Sequence, residues 1–175
     1  MKERNIKTII IFFFALLVFL SVAGARIVNN IMFEREVLGH LKLAADANTV
    51  TLAEAKLKRA LNGAEEWGIC NDGGECFTSV VYRTPDEDLG FWRQNLEASL
   101  ADLQAMSPEE REDNLIESNQ LMKLRETILD TKNEGEKITY PTGISVYPYN
   151  RTYTVVAWLS FLVLAITGIK ELFRE

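Results

Sequence analysis

The chain has 175 residues, with 25 Asp and Glu against 19 Lys and Arg, a net charge of −6, and its length suits one ordinary domain. The charge is concentrated centrally: residues 30–150 hold 12 basic and 22 acidic side chains, a net of −10, which repels nucleic-acid phosphates. Two charge-free apolar runs, residues 8–25 and 152–169, are withdrawn from any soluble core, because the mostly polar remainder hardly covers two helices that are apolar on all sides.

The first run, TIIIFFFALLVFLSVAGA, contains twelve Ile, Leu, Phe or Val residues. As a helix it covers about 27 Å, enough for the hydrocarbon layer of a bilayer. Lys2, Arg4 and Lys7 precede it, which favours a cytoplasmic N-terminus. Ala23-Gly24-Ala25 before Arg26 also fits a signal-peptide cleavage site, but the run is longer than the usual apolar region of a signal, so an uncleaved anchor is expected. Ile27, Ile31, Leu38, Leu41 and Ala45 fall near one helical face, so the helix is expected to continue until Asn48 ends or bends it. His40 lies on this extension beside Gly39, with no Ser or Cys locally paired to it. It reads as a surface or interface histidine rather than a proton shuttle.

Thr51-Leu52-Ala53-Glu54 matches a capping box. The helix it opens carries Ala55, Leu57 and Leu61 and is expected to stop at Asn62-Gly63. Cys70 and Cys76 bracket Asn71-Asp72-Gly73-Gly74-Glu75, and outside the cytoplasm two nearby cysteines are expected to form a disulfide. With one histidine in the chain, a zinc site lacks ligands. The acidic loop lacks the ligand alternation of a calcium-binding loop, so neither a metal nor any other cofactor is expected. Phe77-Thr78-Ser79-Val80-Val81-Tyr82 is rich in β-branched and aromatic residues. With Trp67-Gly68-Ile69-Cys70 it predicts a small disulfide-clipped β-hairpin.

Thr84-Pro85-Asp86-Glu87 predicts a helix start, with Thr84 as cap and the acids at the positive end of the dipole. Its stripe is Leu89, Trp92, Leu96, Leu100 and Leu103, at helical spacing. This stripe is expected to pack on the extension of the first run and on the helix opened by Ser107-Pro108-Glu109-Glu110. That last helix would carry Leu115, Leu121, Met122, Ile128 and Leu129. Phe91 points away from the centre of the stripe, toward the hairpin or a partner. Beyond Thr131, Ile138-Thr139-Tyr140-Pro141 and Ile144-Ser145-Val146-Tyr147-Pro148 read as extended. Tyr147, Tyr149, Tyr153 and Trp158 mark the start of the second run, where amphipathic rings favour the interface. Asn150-Arg151-Thr152 matches a glycosylation sequon but abuts the membrane.

These readings predict a mainly α protein with two transmembrane helices flanking an extracytoplasmic helical domain. The divisions are a short cytoplasmic segment 1–7, a first span 8–25, the domain 26–151, a second span 152–169 and a cytoplasmic segment 170–175. Phosphate-binding glycine loops, G-x-S-x-G and H-E-x-x-H are missing from the sequence, and the acidic residues cluster in first helical turns rather than in divergent pairs, so an enzyme is not expected. Neither run contains Asp, Glu, Lys, Arg or His, which disfavours a transporter. The expected function is docking on a partner protein, a membrane protein or a second copy, with Phe91, Trp67 and His40 as candidate contacts. The alternative is a domain that senses a small ligand and signals through a partner's spans.

Overall fold

The computed structural model describes residues 2–70, 74–132 and 135–172. α1 (Lys2–Phe33) runs without a break through a single π turn, Glu34–Leu38, into α2 (Gly39–Ala45). The extra residue of a π turn rotates the helix face by about 100°. Ile27 and Ile31 therefore stay exposed while Val37, Leu38, Leu41 and Ala44 are buried, and the single face expected from residue 27 to residue 45 is really two. The domain core begins at Phe33, which is fully buried.

α3 (Val50–Glu66) starts two residues before the expected box. Thr49 is the cap, its Oγ accepting from Leu52 N at 3.3 Å. The helix also runs past Asn62-Gly63, because Gly63 is a contact point rather than a stop. A Cβ there would lie 2.7 Å from the Glu36 carbonyl oxygen, so the missing side chain lets α3 lie against the π turn. Val50, Ala53, Leu57, Ala60, Leu61 and Ala64 form its buried face.

Among the described residues, 67–70 and 77–82 do not pair as the predicted hairpin. Its backbone donors and acceptors turn forward instead: Thr78 N donates to Glu87 O at 3.2 Å and Leu89 N to Cys76 O at 3.1 Å, leaving one isolated bridge, Phe77 with Asp88. Pro85–Glu87 is a single 3-10 turn, and Asp88, not Thr84, caps α4 (Leu89–Gln104) by accepting from Phe91 N at 2.9 Å. The expected stripe holds: Leu89, Trp92, Leu96 and Leu103 are buried and Leu100 is half-buried. Its main partners are α3 and α6, the latter in the expected helix region after Ser107, and the extension of the first run is not a main partner. Burying side chains of this size contributes about 1.5–3 kcal/mol each.

α5 (Pro108–Glu112) carries the expected box, Ser107 with Glu110, but Asp113 interrupts it and caps a separate α6 (Asn114–Ile128). Arg111 closes this corner, donating to Leu103 O at 2.8 Å and pairing with Glu54 at 3.2 Å. α6 buries Leu124 and Ile128, while Leu115 and Met122, read as core, are 71% and 57% exposed. The antiparallel sheet pairs β1 (Leu129–Lys132) with β2 (Gly135–Ile138), from Leu129 opposite Ile138 to Lys132 opposite Gly135. Trp92 Nε1 donates to Thr139 O at 3.0 Å and ties the sheet to α4. Ile144–Val146, expected to be extended, is a 3-10 turn entered through Gly143 at φ 79°.

α7 (Asn150–Leu172) packs along α1 in the opposite direction. Thr8, Ile9, Phe12 and Phe13 lie by Thr167 and Gly168, and Ser21, Val22 and Ala25 by Tyr149, Tyr153 and Val156. Ala15, Ser160 and Thr167 are buried in this seam, small residues that let two helices approach closely. The two hydroxyls donate within α7, to Val156 O and Val163 O at 2.7 Å each. Both helices are long and apolar enough to cross a membrane, and only 6% and 11% of their most apolar windows is buried, which separates them from the core helices of a soluble protein.

Candidate functional site

α1 with its π turn, the end of α3 and the entrance to α7 flank an open cleft of about 490 Å³ lined by Asn29, Glu36, Glu66, Trp67, Tyr147 and Tyr153, among others. α1 and α2 hold Glu36 in place because Val37 and Leu38 are packed against α3. Trp67 follows the last turn of α3, and Gly68 at φ 66° turns the chain away behind it. Its ring meets Phe33 edge-on with centroids 5.5 Å apart, and its Nε1 donates to Glu36 Oε2 at 3.0 Å. That charge-assisted bond fixes both groups on one wall.

The opposite wall rests on the disulfide. Cys70 and Cys76 are bonded, as expected. Tyr147 Oη lies against both sulfurs, 2.6 Å from Cys76 Sγ. A disulfide sulfur has no proton, so the phenol is the donor. Burial raises the Tyr147 pKa above its ordinary value of 10.0, so the phenol keeps that proton. Gly90 completes the support: a Cβ there would lie 2.7 Å from Gly74 O, so the end of the disulfide loop sits on the first turn of α4. Arg93, buried at 7% exposure, reaches back from α4 to donate to Ile69 O at 3.1 Å while pairing with Glu97 at 2.7 Å.

The three candidate contact residues are not gathered in one place. Trp67 lines the cleft. Phe91 is 62% exposed on the first turn of α4. His40 faces Lys56 and Arg59 of α3, and burial first, then those two cations, lower its pKa from 6.5. Its Nδ1 is buried without a hydrogen-bond partner among the described residues. Sequence reasoning passed over Glu36, Arg93 and the sulfur contact of Tyr147; the i,i+4 spacing to Glu97 is a local sign at Arg93, while the contacts that place these groups reach residues 24 to 77 positions away. Among the described residues, no group of three or more His, Cys, Asp or Glu is placed to hold a metal ion. Residues 71–73 of the acidic loop lie outside the described residues. Asn150, the sequon residue, is 8% exposed and its amide donates to Gly143 O at 2.8 Å, so it presents no free acceptor for a glycan.

No family model, curated protein or solved structure matches this chain.

Proposed function

We propose that this is an integral membrane protein whose helical domain stands outside the cytoplasm and docks on a partner protein, a membrane protein or a second copy of the chain. Both termini lie in the cytoplasm in this reading. Lys2, Arg4 and Lys7 favour that side, the antiparallel packing of α1 and α7 brings the chain back to it, and the disulfide suits an oxidising exterior.

The observation that carries docking is the bare face of α6. Leu115, Ile116 and Met122 are exposed at helical spacing. An apolar surface on a small acidic domain marks a contact site more often than chance exposure does. The full chain, extracted in mild detergent, is expected to co-purify with one partner or a second copy in fixed stoichiometry. Leu115→Asp with Met122→Asp should abolish that association and leave the melting temperature unchanged. An association indifferent to both substitutions, or a monodisperse lone chain, overturns docking through α6. Reporter fusions after Glu175 and within residues 72–74 test the topology separately, with cytoplasm and exterior as the expected answers.

A second reading is favoured by the cleft itself. Two carboxylates and several aromatic rings at the junction of α1 and the α7 entrance suit a small cationic ligand, and such a ligand would touch both spans. A melting temperature raised by organic cations, and lost on Trp67→Ala, supports it; no shift across such a panel removes it.

A further inference from the structure

The segment between the disulfide and α4 ends in an apolar tip that the core does not use. Val80, Val81 and Tyr82 are 37%, 76% and 76% exposed. The base of the tip is fixed: Thr78 is 2% exposed, its Oγ1 donates to Glu87 Oε2 at 2.8 Å, and its N–H donates to Glu87 O. At the turn, Val81 N and Tyr82 N donate to Ser79 Oγ at 3.3 and 3.0 Å, so the tip supplies partners for its own donors.

Its position gives the exposure a meaning. Val80 and Arg83 share a cleft of about 260 Å³ with Tyr147, Pro148, Asn150 and Arg151. The tip therefore stands beside the first turn of α7, two residues before that helix begins its charge-free run at residue 152. A second observation marks the same level. Across the helix pair, Ser21, Val22 and Ala25 of α1 lie by Tyr149 and Thr152, and just beyond them Ile27, Val28, Ile31 and Met32 are all exposed. Tyr149, also exposed, adds an amphipathic ring there.

We propose that Val80, Val81 and Tyr82 insert into the headgroup–acyl boundary of the outer leaflet, a third membrane contact besides the two helices. This rests on α1 and α7 being spans. Arg83, whose guanidinium lies over the Phe77 ring at 5.5 Å, and exposed Arg151 flank the tip within reach of lipid phosphates, while the valines meet the acyl boundary and Tyr82 keeps its hydroxyl among the headgroups. A protein partner is less suited to this place, because packing of Val80 and Arg83 beside Asn150 and Arg151 holds the tip next to the start of α7, at headgroup level if α7 spans the membrane.

Both native cysteines are bonded, so a cysteine introduced in the full chain labels alone. Val81→Cys carrying a polarity-sensitive fluorophore, in nanodiscs of mixed zwitterionic and anionic phospholipid, is expected to emit at shorter wavelength than Glu112→Cys, an exposed position outside the docking face. It should lose most of its emission to lipids carrying a quencher near the headgroup, while Glu112→Cys keeps its own. Leu159→Cys within α7 serves as the reference for the span and should be quenched by lipids labelled deep in the acyl chain. If Leu159→Cys is quenched and Val81→Cys behaves like Glu112→Cys, the tip proposal fails and the spans stand. A Val81→Cys label shielded from both lipid and aqueous quenchers indicates a protein contact and also overturns it. An unquenched Leu159→Cys removes the membrane reading, and the tip proposal with it.

Discussion

Leu96 and Glu97 are neighbours in α4 with different duties. Leu96 is 3% exposed between α3 and α6, so Leu96→Ala leaves a cavity and should cost about 2–5 kcal/mol. Glu97 reads as a solvated side chain from its place between stripe residues, yet it holds the buried guanidinium of Arg93. Glu97→Ala should therefore cost about 1–3 kcal/mol, because it strips a buried charge of a hydrogen bond. Glu112→Ala, an exposed change, should stay within about 0.5 kcal/mol. Denaturant melts of the three variants decide this, and equal losses at Glu97 and Glu112 would show Arg93 indifferent to its partner. His40 gives a pH signature. Its pKa is lowered in the fold, first by burial and then by Arg59 and Lys56, so the unfolded chain takes up the proton first. Stability is full above the ordinary value of 6.5 and falls as the pH drops below it. The chain has one histidine, so between about pH 7 and pH 5 the melting temperature should decline in the parent and decline less in His40→Gln.

Among the elements, the contact of α3 with the π turn depends on Gly63. A methyl group there meets the Glu36 carbonyl at 2.7 Å and Val37 Cγ2 at 3.2 Å. Neither is the free end of a flexible side chain, so Gly63→Ala should destabilise by about 1–3 kcal/mol and loosen the bond from Trp67 to Glu36. A fall in melting temperature with a red shift of tryptophan emission is the expected result. An unchanged protein would mean that the helices separate without loss. In a solvent-facing helix the same substitution stabilises, since alanine is the better helix former by about 1 kcal/mol. The sign of the change therefore reports the packing.

At the scale of the molecule, the disulfide braces the junction between the helical domain and α7. It supports Tyr147, and two residues beyond Pro148 the chain becomes α7. Intact mass should show no alkylation before reduction and two labels after it. Replacing both cysteines with serine should cost about 2 kcal/mol from the opened loop alone, and should loosen the 144–149 segment, read as faster amide exchange at Tyr147. Labelling without reductant would remove the oxidising-compartment argument. Exchange unchanged in the double variant would show that the sulfurs do not hold Tyr147.

Several features were legible from residues alone because they depend on near neighbours or composition. Two charge-free runs identify helices that no core of this size could bury, the 3–4 spacing from Leu89 to Leu103 selects the buried face of α4, and the short interval between Cys70 and Cys76 anticipates their bond. Start signals were legible in kind but not in place: Thr49 and Asp88 took the caps expected at Thr51 and Thr84. Several polar residues in each stretch could cap, and packing of the following helix chooses among them. Tertiary structure alone decided the rest. Residues 76–78 pair with 87–89 rather than with 67–70 because the last turn of α3 docks Trp67 on Phe33 and Glu36, leaving no strand to pair with. Leu115 and Met122 lie outside the core because Asp113 breaks the helix and re-aims it. Helical periodicity shows which residues share a face. Which face meets another element depends on groups distant in the chain, and local spacing does not encode that.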